Sequence, residues 1–120
     1  MNKQLGYVVT SADGTTWREP MIAEGTFGHY IWRAATHGGK AYLCGRRKAN
    51  FAVEVMGERG HNQSILLESD DGIIFRHRAY FQETGGNETA FFFEPDGSLL
   101  ALDRNGSGNS MLCSSKLGLS

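Results

Sequence analysis

The sequence predicts an all-β chain of short antiparallel strands, and three observations carry that expectation. Sixteen glycines stand against two prolines in 120 residues, and glycine recurring between short apolar runs supplies the positive-φ positions of tight turns. The apolar runs are β-branched or aromatic and bounded by Gly or Asp, the pattern of strands and not of helices. The third observation is an internal repeat. Ser11-Ala12-Asp13-Gly14-Thr15-Thr16-Trp17 returns as Ser69-Asp70-Asp71-Gly72-Ile73-Ile74-Phe75, 58 positions later. The same offset carries Tyr7-Val8-Val9 onto Ile65-Leu66-Leu67, Gly39 onto Gly97 and Arg46 onto Arg104, so one layout is used twice.

In chain order, strands are expected at 5–10, 30–36, 41–46, 64–69, 75–80, 89–94, 99–104 and 110–115. The first contains the Tyr7-Val8-Val9 run that leads into the first copy of the motif. The next two are joined through His37-Gly38-Gly39-Lys40, a tight turn. The strand at 64–69 carries Ile65-Leu66-Leu67 into the second copy, and the strand at 75–80 leaves it. The clearest hairpin runs from Thr89 to Glu94, through Pro95-Asp96-Gly97-Ser98, to Leu99 and Arg104. Asp-Gly at its centre favours a primed two-residue turn. Phe91-Phe92-Phe93 and Leu99-Leu100-Ala101-Leu102 are apolar on both faces, so stacked sheets are expected to cover these strands on both sides. After Arg104 the phase slips, and Leu112-Cys113-Ser114-Ser115 arrives early, which predicts a shorter loop before the last strand.

The seven-residue motif reads as a turn staple opened by Ser11 or Ser69. Asp13 or Asp71 is placed to accept backbone N–H bonds, and Gly14 or Gly72 to take a conformation that other residues resist. Trp17 or Phe75 is then expected to drop a large ring between packed strands. Asp13, Asp70 and Asp71 are accordingly assigned no acid–base role.

Composition excludes several partners. A net charge of −1 leaves no electrostatic footprint for nucleic acid or an anionic membrane, and no apolar run approaches the roughly 20 residues of a bilayer span. Neither partner is expected. Cys44 and Cys113 allow one bridge or two free thiols, and their spacing matches no metal or redox motif. The four histidines lack the paired spacing of a helix-borne zinc site, so no metal and no cofactor are expected. Thr10, Ser11, Asp13 and Gly14 interrupt the one apolar stretch in residues 1–20, and no export signal is read there.

Candidate chemistry gathers at the end of the last hairpin. With Asp96 and Gly97 as the turn, Thr89 is placed opposite Arg104 and Glu88 one position beyond. The carboxylate and the guanidinium then emerge together, about 20 Å from the turn at about 3.4 Å per residue. A carboxylate beside a guanidinium stays ionised and accepts a proton from a neighbouring phenol more readily than an acid would. A guanidinium fork suits a substrate carboxylate. A surface salt bridge at a strand end is the other reading of the same two residues. One repeat earlier, Tyr30 stands where Glu88 does and Arg46 where Arg104 does. Across Gly38-Gly39, Ile31 is placed opposite Arg46, so Tyr30, Trp32, Arg33 and Arg46 are expected along the same rim. Aromatic rings beside arginine suit a sugar. Packing between sheets for Tyr30 and Trp32, with a solvated basic stretch from Arg46 to Lys48, is the alternative.

Ser11 to Trp17 resembles the Asp-box, the bacterial neuraminidase repeat, at every defined position, and Ser69 to Phe75 is similar with Ile74 for Thr and Phe75 for Trp. Asn87-Glu88, Asp96-Gly97 and Arg104, sixteen residues after the Glu, are similar to a sialidase blade that opens with Asn-Glu, passes an Asp-Gly hairpin and ends in Arg. The resemblance implies a sialidase-like β-propeller of antiparallel four-stranded blades. Residues 1–28 would end one blade, 29–86 form a complete blade and 87–120 begin a third. That makes an incomplete propeller of about two blades, against the four or so that closure needs.

In this family the Glu partners a tyrosine nucleophile and the Arg is one of three that clamp the sialic acid carboxylate, roles that the resemblance gives to Glu88 and Arg104. It implies a fragment of a glycoside hydrolase acting on terminal sialic acid or related acidic sugars. No Arg-Ile-Pro tripeptide supplies a first clamp arginine, and neither Tyr42 nor Tyr80 sits where the family places its nucleophile. A single copy is therefore not expected to be active. The alternative is a non-catalytic propeller module that binds glycan or protein. Expected partners are a carbohydrate and either further copies of the chain or the remainder of a propeller. Members of the family are often secreted, and the compartment is left open.

Overall fold

Within residues 4–48, 62–83, 85–104 and 109–115, which the computed structural model describes, nine strands form three antiparallel sheets and there is no helix. The strands are β1 (Tyr7–Val8), β2 (Met21–Ile22), β3 (Tyr30–His37), β4 (Lys40–Lys48), β5 (Asn62–Ser69), β6 (Arg76–Gln82), β7 (Thr89–Phe93), β8 (Leu99–Asp103) and β9 (Met111–Ser115). β1 pairs with β2, β3 to β6 form a four-stranded meander, and β7 to β9 form a three-stranded one. The all-β, antiparallel expectation holds. β2 has no counterpart among the expected strands, because two residues are too few to display an alternation.

Two hairpin registers decide where the candidate site falls. Between β3 and β4, Gly38 (φ 58°) and Gly39 (φ 78°) make the expected two-residue turn, with His37 opposite Lys40. A bulge between Ile31 and Arg33 then shifts the ladder, so that Tyr30, and not Ile31, faces Arg46. Between β7 and β8 the expected primed turn does not form. Gly97 N–H donates to the Glu94 carbonyl at 2.8 Å and Glu94 N–H to the Ser98 carbonyl at 2.8 Å. Gly97 has a φ of 87°, and no described residue other than glycine has a positive φ.

The loop is thus a type I turn closed by a left-handed glycine, three residues long. Pro95 explains it: its fixed φ suits the first central position of a type I turn, whereas a primed turn would force Asp96 to positive φ. Asp96 Oδ1 instead accepts the Ser98 N–H at 2.8 Å. The extra loop residue moves the register by one. Thr89 faces Asp103, and Arg104 N–H donates to the Glu88 carbonyl at 2.9 Å.

Packing follows the alternation of side chains along each strand. One face of the meander presents Tyr42, Cys44 and Leu66 to Phe91, Leu99 and Ala101 of the three-stranded sheet. The opposite face presents Ile65 and Leu67 to Ala23, Phe75 and Val8. β5 is therefore covered on both sides, which is why Ile65-Leu66-Leu67 is an unbroken apolar run. The three-stranded sheet departs from that expectation. Phe91 is 1% exposed, but Phe92 is 50%, Leu102 52% and Leu112 70% exposed, because among the described residues only one of its faces meets another sheet.

Both copies of the seven-residue motif close in the same way. Asp13 Oδ1 accepts the Thr15 and Thr16 N–H groups at 2.8 Å each, and Asp71 Oδ1 those of Ile73 and Ile74 at 2.8 and 2.9 Å. Ser11 and Ser69 Oγ accept from Gly14 and Gly72 at 2.8 and 2.9 Å, with φ of 77° and 78° at these glycines. The bonds from Thr16 and Thr15 hold the Asp13 carboxyl at about 2, well below its usual value. The rings differ. Phe75 is 6% exposed, whereas Trp17 is 59% exposed and does not wedge between strands. Phe75 and Ile73 are locked to Glu24 through backbone hydrogen bonds that fold Ala23 over the ring. Trp17 projects from a sheet of two two-residue strands that offers no such cover.

Candidate functional site

The open end of the β7–β8 hairpin gathers most of the residues singled out in the sequence. The one-residue change of register places Glu88 directly across from Arg104, and Glu88 Oε2 accepts from Arg104 Nη1 at 2.7 Å. Both side chains stand in water. The Arg104 hydrogen bond, with the more distant Arg46 charge adding to it, holds the Glu88 carboxyl below its ordinary range. At neutral pH this is a carboxylate gripped by one edge of a guanidinium.

β3 and β4 bring the second group of residues to the same end. Trp32 Nε1–H donates to the Thr89 carbonyl at 2.9 Å, and Arg33 Nε–H to the Phe91 carbonyl at 3.2 Å. These bonds brace the four-stranded sheet against β7. Arg46 Nη1 donates to Asn87 Oδ1 at 2.8 Å, and the same oxygen accepts the Glu88 N–H at 3.1 Å. The Arg46 guanidinium lies 5.6 Å from the Tyr30 ring centroid, and the Tyr30 and Trp32 rings are 5.6 Å apart. Trp32, Arg33, Glu88 and Arg104 line one open groove of about 340 Å³ together with Thr89, Ala90, Leu102 and Ser110. Arg46 and Tyr30 stand beside it, joined through Asn87, and no tyrosine lines it.

The motif residues are elsewhere. β5 runs from Asn62 near the groove to Ser69 at the second motif, roughly 24 Å at about 3.4 Å per residue. Ser69, Asp71, Gly72 and Phe75 lie at the far end of the meander, and Ser11, Asp13, Gly14 and Trp17 beyond the β1–β2 sheet.

A buried polar layer directly beneath the groove was not read from the sequence. Asp103 is fully buried. Its Oδ1 accepts the Thr89 hydroxyl at 3.0 Å and the Asn87 N–H at 3.3 Å. Thr89 also shares a hydrogen bond with the Ser64 hydroxyl, which donates to the Asn87 carbonyl at 3.0 Å. Burial pushes the Asp103 carboxyl up, and its Oδ2 has no hydrogen-bond partner among the described residues. The layer fixes Asn87 and Thr89 on either side of Glu88, so the backbone that carries the carboxylate is held from both sides. Alternation along Leu99, Ala101 and Asp103 was the available signal, since it puts a carboxylate on the inward face.

Both cysteines are free thiols. Cys44 Sγ–H donates to the Thr89 carbonyl at 2.9 Å, and burial pushes its pKa up to about 12. Among the described residues no group of three His, Cys, Asp or Glu side chains is placed to hold a metal ion. No family model, curated protein or solved structure matches the chain.

Proposed function

We propose that the three sheets are successive blades of a sialidase-like β-propeller, and that the groove between the second and third is part of a site for terminal sialic acid or a related acidic sugar. The observation that carries this reading is the Glu88–Arg104 pair, sixteen residues apart in sequence and 2.7 Å apart in space, set in a groove walled by Trp32. A guanidinium attracts the sugar carboxylate, an indole offers an apolar surface to the ring, and Glu88 accepts hydrogen bonds from hydroxyl or amide groups. In a complete hydrolase Glu88 would act through a tyrosine nucleophile supplied by another blade. A single copy binds without turning over.

Titration with N-acetylneuraminic acid, followed by two-dimensional NMR, tests the reading. Saturable shifts are expected around Trp32, Glu88 and Arg104, weakened by Arg104→Gln and absent for the methyl ester, which lacks the carboxylate charge. An ester that binds as well as the acid would overturn the proposal.

A non-catalytic glycan-binding module is the second reading, favoured by the lack of a tyrosine in the groove. The phenol nearest the rim, Tyr30, lies against Arg46. A fluorogenic sialoside separates the two readings. Hydrolysis by an assembled form, abolished by Glu88→Gln, marks the enzyme, and saturable binding without release marks the module.

A further inference from the structure

The three sheets meet in chain order, and corresponding repeat positions take part in both contacts. Val8 of the first sheet packs against the cluster that Ile65 and Leu67 of the second form with Ala23 and Phe75. Leu66 of the second, the repeat counterpart of Val8, packs with Cys44 against Phe91 and Ala101 of the third. Each contact joins the same face of one unit to the opposite face of the next.

Among the described residues, both ends of the stack expose apolar positions whose repeat counterparts inside it are covered. Tyr7 and Val9 on the first sheet are 64% and 44% exposed, yet their counterparts at the 58-residue offset, Ile65 and Leu67, are covered to within 1%. On the third sheet Leu102 is 52% exposed, whereas its counterpart Cys44 is fully buried. Leu112, across the ladder from Leu102 as Leu66 is from Cys44, is 70% exposed where Leu66 is buried. Contiguous apolar faces of this kind mark interaction sites.

We infer that these two faces dock on each other between copies of the chain, so that the third sheet of one copy receives the first sheet of the next. The occupant is a second copy because the complementary half, in the same residue positions as the two internal contacts, is carried by the chain's own opposite end. The contact is heterologous, since different patches meet. It therefore propagates beyond a dimer, closing into a ring if the rotation per copy allows and otherwise extending as an open chain. The docking face reaches the sugar groove at Leu102, whereas Val9 and Leu112 do not line the groove, so variants at those two positions test docking apart from sugar binding.

Sedimentation velocity on the full chain over a concentration series tests the docking. Wild type is expected to grow beyond dimers as concentration rises. Val9→Lys blocks one face and Leu112→Lys the other, so each variant alone is expected to be monomeric. An equimolar mixture is expected to stop at a heterodimer, because one intact face of each kind remains. Both positions are exposed, and unchanged circular dichroism and melting confirm that the variants fold. If either does not, Tyr7→Lys or Phe92→Lys replaces it on the same face. A wild-type chain that stays monomeric up to about 1 mM overturns the inference. So does a Val9→Lys chain that still dimerises, which would show like faces pairing.

Discussion

Thr89 and Asp103 face each other across the β7–β8 ladder, and the Thr89 hydroxyl donates to Asp103 Oδ1 at 3.0 Å where neither side chain meets water. Burial raises the Asp103 carboxyl above the ordinary aspartate value of 3.8. The folded chain therefore holds this proton to higher pH than the unfolded chain does. Between the two values the folded state binds more protons, so this carboxyl lowers stability as pH rises from 3.8 through its folded value. Asp103→Asn keeps the Oδ1 acceptor and removes the charge, adding only a pH-independent offset. The melting temperature of the variant relative to wild type is expected to improve as pH rises above 3.8. A flat difference shows that Asp103 titrates normally, and one that runs the other way shows that folding lowers its pKa.

Glu88 runs in the opposite direction, since Arg104 holds its carboxyl below the usual 4.5. A depressed folded value contributes stability above the unfolded pKa that is lost as pH falls through the folded one. Both groups are largely in water, so the contribution to folding is small. Arg104→Gln is expected to raise the Glu88 midpoint towards the ordinary glutamate value in a carbon-13 NMR titration, with little change in melting temperature. An unmoved midpoint would mean that the ion pair is not formed in solution.

How far the sequence could be read is clearest where two identical signals had different outcomes. Gly38-Gly39 and Asp96-Gly97 both predict two-residue turns, but Pro95 fits the first central position of a type I turn and the second hairpin gains a loop residue. That local choice decides whether Arg104 meets Thr89 or Glu88. The bulge at Trp32, which pairs Tyr30 with Arg46, left no mark in a run without punctuation. Fold class, the hairpins and the Asp turns were legible because each is encoded within a few residues. The buried Asp103 layer and the fate of each motif ring depend on which sheet packs where, and no local pattern carries that.

The two motif rings give a direct test of this point. Phe75 is enclosed by Ala23, Ile65 and Leu67, whereas Trp17 stands in solvent. Phe75→Ala is expected to cost about 3–5 kcal/mol, the range for a buried aromatic. Trp17→Ala, at the same motif position, should stay within about 0.5 kcal/mol. Urea unfolding of both variants in dilute solution measures the difference. Equal losses would show that Trp17 is packed in solution.

The two tryptophans also separate the groove from the rest of the chain. Trp32 lines the groove with its indole N–H bonded to the Thr89 carbonyl at 2.9 Å, while Trp17 is 59% exposed beyond the first sheet. Trp17→Phe leaves Trp32 as the sole indole, with emission shifted to the blue and weakly quenched by acrylamide. Trp32→Phe leaves only the exposed indole, strongly quenched. N-acetylneuraminic acid seated beside Arg104 must change the surroundings of Trp32 and leave those of Trp17 alone. The emission of the Trp17→Phe chain is therefore expected to titrate with the sugar and to lose that response when Arg104→Gln is added. Because Arg104 bonds to Glu88 and Trp32 to the Thr89 carbonyl, loss of the response with the Trp32 quenching unchanged separates a missing ligand contact from a disturbed groove. A response carried by the Trp32→Phe chain instead would place the sugar at the other end of the stack.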